Sequence, residues 1–232
     1  MSEDSERMTR RTFLERAGKA GLATSLALAG VALPEEASAQ DGYPSRNLSK
    51  LADYQFTGQD GKPVDVNALV SQIKGKDVTL TFGFQACTAY CPFTNGTLGA
   101  LDEKAPGRFK HIVIAMQPEH DGASQSSRNN LITTIKEMMN EGRVHPIQDP
   151  KNVIILYPHD SHTSVQIEHA FDNLVGSDPR NHTPNVDVFN VNGQRIAKGV
   201  PDSIPAKGDG DLAAKAQAFA SSVLGIIQGR GK

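Results

Sequence analysis

The sequence predicts an α/β fold with a mixed central sheet flanked by helices and an N-terminal hairpin. Three apolar runs, Val78–Phe82, His111–Met116 and Val153–Tyr157, are typical of buried strands, and each is followed by a helical pattern. Near the C-terminus, Asn192-Gly193 separates two alternating runs and indicates a tight hairpin. Parallel strands with right-handed crossovers, followed by an antiparallel pair, give a mixed sheet between helical layers.

The first 39 residues have the three parts of an export signal. A twin-arginine motif, Thr9–Leu14, precedes an apolar run from Ala20 to Leu33 that is too short to span a membrane, and Ala37-Ser38-Ala39 is a small-x-small cleavage pattern. We therefore expect residues 1–39 to be a signal peptide and the protein to be exported folded to a periplasmic or extracytoplasmic location. Residues 40–50 are expected to form a linker and residues 51–232 a single domain.

The charge balance argues against two classes of partner. The leader holds five of the 24 basic and six of the 26 acidic residues, so 19 basic and 20 acidic residues remain after it. A nearly neutral chain without a basic cluster or tryptophan gives no support for nucleic-acid binding or for attraction to an anionic membrane. Membrane proximity is therefore expected only through a partner.

The remaining elements follow from periodicity and turn signals. Met138 and Met139 lie in a helical pattern that ends at Gly142, and we interpret both as core residues. The loop Gln117–Gly122 follows the second strand and should lie on the same side of the sheet as the turn after the first. In chain order the expected elements are a hairpin over 51–64, a helix over 66–73, a strand over 78–84, helices over 92–104, 131–142 and 161–174, strands over 185–191 and 195–200, and a helix over 212–227.

Cys87 and Cys91 are the only cysteines, and they lie at the turn between the first strand and its helix. Pro92 suits the first turn of that helix, where its missing N–H is not needed. Unpaired N–H groups and the helix dipole at this point favour thiolate over thiol. A structural disulfide is disfavoured because a bridge over three residues removes little unfolded-state entropy. Two thiolates here predict either a redox disulfide or a soft-metal site.

The chain resembles the Sco/SenC family of copper-binding, thioredoxin-fold proteins. The matching segments are Phe84–Pro92 with its Cys-x-x-x-Cys-Pro, the strand end Met116–Asp121, and His182 ahead of Val186–Gly193. The resemblance implies that Cys87, Cys91 and His182 bind one copper ion. It further implies delivery of copper to a cuproenzyme such as cytochrome c oxidase, at the dinuclear site of subunit II.

The residue chemistry agrees with that ligand set, although the chain departs from the family pattern. Two thiolates and an imidazole are soft enough for Cu(I) and acceptable to Cu(II). Gln117 replaces the usual Asp, and residues 88–90 carry no acidic side chain, so the local charge is less negative. Thr183-Pro184 lies where thioredoxins carry a cis-proline. The chain thus combines a copper-family His with a redox-type Pro.

Two enzymatic alternatives stay open beside the copper carrier. In a thiol–disulfide oxidoreductase, Cys87 would attack, Cys91 would resolve, and a thiol reductant protein would restore the dithiol. In a thiol peroxidase, a sulfenic acid at Cys87 would be resolved by Cys91. A histidine ligand helps only the carrier, which we favour. His159, His162 and His169 lack a metal-ligand spacing and are expected on an exposed helix face, and His120 in a loop near the site.

Overall fold

The computed structural model describes residues 46–73, 75–87, 90–146, 151–173, 185–201 and 211–229. His182 and Thr183-Pro184 therefore lie outside the described residues. Within them, no helix has both the length and the apolar character needed to cross a membrane.

Seven strands form one mixed sheet in the order β2-β1-β5-β4-β3-β6-β7. Strands β3, β4 and β5 are parallel, and the other neighbours pair antiparallel. Each of the three apolar runs forms a central strand, as predicted. The strands are β1 (Phe56–Thr57), β2 (Pro63–Val64), β3 (Asp77–Gly83), β4 (Phe109–Ala115), β5 (Val153–Pro158), β6 (Val186–Phe189) and β7 (Arg195–Gly199).

Helices cover both faces of the sheet. Helices α2, α4 and α6 pack on one face, and the 3-10 helix, α1 and α5 pack on the other. Helix α2 is buried over 12 of its 14 residues because it lies between α4, α6 and the sheet. The helices are a 3-10 helix (Leu48–Asp53), α1 (Val66–Gln72), α2 (Cys91–Lys104), α3 (Pro118–Asp121), α4 (Gln125–Glu141), α5 (Ser161–Ala170) and α6 (Leu212–Gly229).

This topology confirms the predicted fold class. The sheet segment β4-β3-β6-β7 combines a parallel pair with an antiparallel hairpin, and the cysteine turn follows β3 at its C-terminal end. That arrangement is thioredoxin-like. Because both parallel strands end at the same edge, the turn after β3 and the loop after β4 meet there, where ligands of α/β sheets bind.

The N-terminal part of the fold differs from the prediction in its limits. The hairpin is present, with Phe56 opposite Val64. Residues 48–53 instead form a 3-10 helix, because Asn47 caps it through the Ser49 N–H and Leu48 is buried. Arg46 also bonds the Asp172 carboxylate. The predicted linker over 40–50 is therefore wrong for residues 46–50, which belong to the folded domain.

Two later boundaries also differ. Residues 118–121, expected as a loop, form the single-turn helix α3, in which the Asp121 N–H donates to the Gln117 carbonyl. Helix α5 ends at Ala170 rather than Leu174, because Asp172 adopts a left-handed conformation with φ 60°. Local backbone conformation, rather than hydrophobic periodicity, determines both the short helix α3 and the end of α5.

Candidate functional site

The cysteine turn connects the end of β3 to the start of α2, as predicted. Both cysteines are reduced and buried, with Cys87 5% and Cys91 1% exposed. The Cys91 N–H donates to the Cys87 sulfur at 3.3 Å. Tyr90 provides no side-chain cap, so the Cys87 sulfur satisfies one of the N–H groups that a helix start leaves without an intrahelical partner. Pro92 lies in the first turn, as expected.

The two sulfurs lie in a small buried cluster of their own. Its third member is Met138 of α4, and Phe84 and Tyr90 partly cover it. The cluster is separate from the two main hydrophobic cores on the faces of the sheet. Met138 and Met139 are both buried, as predicted, but only Met138 contacts the cysteines. The sequence analysis did not place either methionine near the site.

The environment of Cys91 favours its neutral thiol. Burial raises the pKa of Cys91 well above its ordinary value, and the hydrogen bond and charge of Cys87 and the charge of Asp121 act in the same direction. The sequence-based expectation that the helix start favours the Cys91 thiolate is therefore wrong. Desolvation of a fully buried sulfur outweighs the dipole of a helix whose first N–H is already bonded.

Asp121 is a buried carboxylate beside this turn that the sequence analysis did not identify. One of its oxygens accepts the Gln85 N–H at 3.1 Å, and the other bonds the Nδ1 of His120 at 2.8 Å. The loop after β4 thus lies beside the cysteine turn, as predicted. The His120 side chain is 70% exposed. An acidic residue just beyond a parallel strand was the available signal.

The third predicted ligand, His182, belongs to a segment outside the described residues, so its position relative to the cysteines stays a prediction. The two described residues that flank the segment are buried and hydrogen-bonded to each other, with the Asn185 amide donating to Asn173 Oδ1 at 2.8 Å. Asn173 in turn donates to Asp187 at 2.9 Å. The ends of the segment are therefore fixed next to β6.

His159, His162 and His169 are exposed on or beside α5, as predicted for a solvated helix face. His162 Nε2 bonds the Gln166 side chain at 3.1 Å, one turn along the same helix. Among the residues that the structure describes, no group of three or more His, Cys, Asp or Glu side chains is arranged to hold a metal ion.

Comparisons with known proteins give structural likeness only. No family model matches the chain, and no curated protein matches it. Among solved structures, it is similar to a SCO1/SenC family lipoprotein from Bacillus anthracis, with 20% identity, 72% of this chain and 92% of the other covered, and a TM-score of 0.49. It is also similar to copper-bound ScoI of Arabidopsis thaliana, with 17% identity, 74% of this chain and 96% of the other covered, and a TM-score of 0.45. Copper-bound yeast Sco1 shares 12% identity over 75% and 86%, with a TM-score of 0.49.

Proposed function

We propose that this protein binds a copper ion at Cys87, Cys91 and His182 and delivers it to a cuproenzyme such as cytochrome c oxidase, at subunit II. The observation that carries the proposal is the pair of buried, reduced thiols in one pocket, with the Cys91 N–H 3.3 Å from the Cys87 sulfur. Two sulfur donors in one small pocket provide the soft ligand set that Cu(I) prefers.

The charges around the pocket support a cation as its ligand. Among the residues that the structure describes, Cys87 and Asp121 act on Cys91 with negative charge. Without a neighbouring cation, a buried thiol keeps its proton. A bound copper ion supplies the missing positive charge and displaces that proton. The same surroundings that disfavour a bare thiolate therefore favour a metal thiolate.

The ligand role of His182 can be tested with a matched histidine elsewhere in the chain. We expect His182→Ala to abolish the sulfur-to-copper charge-transfer band of the Cu(II) form, while the thiols remain able to oxidise. His162→Ala, on the exposed face of α5, should leave the band unchanged. Absorption titrations of reduced protein with copper measure both. Full copper affinity in His182→Ala would remove this residue from the ligand set.

A thiol–disulfide oxidoreductase is the second candidate, favoured by the thioredoxin-like position of the cysteines. The Cys87 sulfur would attack a substrate disulfide, Cys91 would displace it, and the substrate would leave as a dithiol while a Cys87–Cys91 disulfide forms. A thiol reductant protein would then return both sulfurs to thiols. The burial of both sulfurs opposes this chemistry, because attack requires an accessible thiolate. Insulin reduction that is lost in Cys87→Ser would support it; equal rates in that variant would remove it.

The proposal places the protein in the periplasm or another extracytoplasmic compartment, exported through the twin-arginine route. The motif at Arg10-Arg11 and the cleavage pattern before Gln40 support this location. Replacing both arginines with lysine should keep the protein inside the cell with its leader attached. Fractionation and N-terminal sequencing measure this, and an unchanged distribution would contradict the route.

A further inference from the structure

Helix α4 approaches α2 unusually closely just beyond the cysteine turn. A Cβ at Gly99 would overlap the Met139 carbonyl, and one at Gly142 would overlap the backbone of Gly96. Glycine at these positions lets the two helix backbones touch. As a result, the residues of α4 near its C-terminal end face the first turns of α2, where Cys91 lies.

The close approach brings the Met138 thioether into the sulfur cluster. Met138 is 2% exposed, and among the described residues Cys87 and Cys91 are the other buried members of its cluster. The neighbouring Met139 is also buried, but it packs in the large hydrophobic core with residues such as Phe93 and Leu98. Consecutive residues of one helix therefore have different environments. Met139 fills a core, whereas Met138 contacts the two sulfur donors.

Asn95 provides an independent observation at the same place. It lies one helical turn after Cys91 and is 1% exposed, and its amide nitrogen donates to the Met138 sulfur at 3.5 Å. Within the described part of the chain, its Oδ1 has no hydrogen-bond partner. A buried amide with an unsatisfied oxygen destabilises a fold, and an aliphatic side chain would fill the space without that penalty. Asn95 instead orients a thioether beside two thiols.

The chemistry of a thioether suits this pocket. It is a soft, neutral donor that binds Cu(I) well. It has no proton to lose, so it adds a ligand without adding a further negative charge to a buried site. The imidazole proposed at residue 182 is also acceptable to Cu(II).

From this arrangement we infer that Met138 is a third sulfur ligand beside Cys87 and Cys91 in the Cu(I) form of the proposed site, and that Asn95 positions its thioether. The inference deepens the proposed function and rests on it for the identity of the metal. It makes Cu(I) retention depend on α4 as well as on the cysteine turn.

Met138→Leu tests the ligand, and Met139→Leu is its matched control. Leucine nearly conserves the volume of methionine and has no sulfur, and both variants undergo the same change of shape. We expect Met138→Leu to weaken Cu(I) binding about tenfold, measured by competition with a chromogenic Cu(I) chelator, while Met139→Leu binds as the parent protein does. Copper K-edge X-ray absorption should show one sulfur neighbour fewer in Met138→Leu. Its Cu(II) charge-transfer band should remain.

A measurement on the unsubstituted protein covers the case in which Met138→Leu does not fold. With methyl-13C methionine, the Met138 methyl resonance should shift when one equivalent of Cu(I) is added, and that of Met139 should not. Asn95→Leu should weaken Cu(I) binding less than Met138→Leu does. An unshifted Met138 resonance, or equal Cu(I) affinity and sulfur count in both methionine variants, overturns the third ligand and leaves a cysteine copper site intact. Parent protein that binds no copper would overturn the proposed function as well.

Discussion

Two regions of this molecule bury polar side chains, and the neighbours of those side chains differ. Beside β6 and β7, the Asp187 carboxylate accepts from Arg195 at 3.2 Å and from Asn173 at 2.9 Å, and Asp187 is 0% exposed. At the cysteine turn, the buried groups are two thiols, a thioether and an amide. We call the first region the ionic cluster and the second the sulfur pocket. The first buries a carboxylate beside cationic side chains, whereas the second buries sulfur donors beside an amide.

The two regions differ in the charged side chains that surround the buried groups. In the ionic cluster, burial raises the pKa of Asp187, and the charges of Lys198 and Arg195 oppose that shift. Lys198 also donates to the Phe171 and Asp172 carbonyls. The ionic cluster therefore holds cationic side chains of its own beside its carboxylate. In the sulfur pocket, the charges that the described residues exert on Cys91 are negative. A cation bound in the sulfur pocket would oppose these negative charges.

The largest expected effect separates folding from copper binding. Asp187→Ala removes the buried carboxylate that pairs with Arg195 and receives the Asn173 amide, and we expect it to lower the free energy of unfolding by about 3–5 kcal/mol. Urea unfolding measures this, with the exposed Asp60→Ala as the control. Copper stoichiometry of the folded fraction should not change. A loss below 1 kcal/mol would show that the cluster contributes little.

Separating the two helices should disturb the sulfur pocket instead. Gly99→Ala places a methyl group against the Met139 carbonyl and should cost about 3 kcal/mol through overpacking. It should also weaken Cu(I) binding, because α4 carries Met138. Gly225→Ala in α6 has no atom within 4 Å of the new methyl and should be neutral or slightly stabilising. Equal stability of the two variants would contradict the close helix contact.

The pH dependence of stability distinguishes a third buried acid, Glu168 on α5. Burial raises its pKa to about 9, from an ordinary value of 4.5. Between these values the folded state holds one more proton than the unfolded state, so stability is fully present below pH 4.5 and is lost as pH rises toward 9. Between pH 5 and pH 7 the parent protein should therefore lose about 2 kcal/mol of stability through this group, and Glu168→Gln should not show that loss. Identical pH profiles would contradict the raised pKa.

The smallest expected effect concerns Asp121, a carboxylate that lies beside the sulfur pocket. Asp121→Asn keeps an acceptor for the Gln85 N–H but removes a negative charge near Cys91. Copper affinity should fall about threefold, since a single nearby charge contributes modestly at this distance. His120→Ala, which removes the exposed partner of Asp121, should change affinity less. An increase in affinity in Asp121→Asn would contradict the electrostatic account of the pocket.

The framework of this fold could be predicted from sequence because it follows from local pattern. Apolar runs gave the three parallel strands, and Asn192-Gly193 the hairpin, where Gly193 adopts φ 75°. Pro92 and the two cysteines placed the strand-to-helix turn. The short helix α3 and the end of α5 were missed because single-turn geometry depends on individual backbone conformations rather than on periodicity.

The sulfur pocket was less accessible from sequence because it depends on contacts between distant segments. Met138 lies 47 positions after Cys91 in the sequence, and the contact of Gly96 and Gly99 with the end of α4 brings them together. The raised pKa of Cys91 likewise reflects burial, which a motif does not encode. The role of His182 rests on the motif alone and stays a prediction.

The hydrogen bond from the Cys91 amide to the Cys87 sulfur has a practical consequence. Metal coordination, oxidation or thiol exchange at the Cys87 sulfur changes the acceptor of this hydrogen bond, and so changes the chemical environment of the Cys91 amide proton. The chemical shift of the Cys91 amide in a nitrogen–proton correlation spectrum should therefore report whether the site is occupied. Binding and release of the metal could then be followed in solution at this one residue, without attaching a dye.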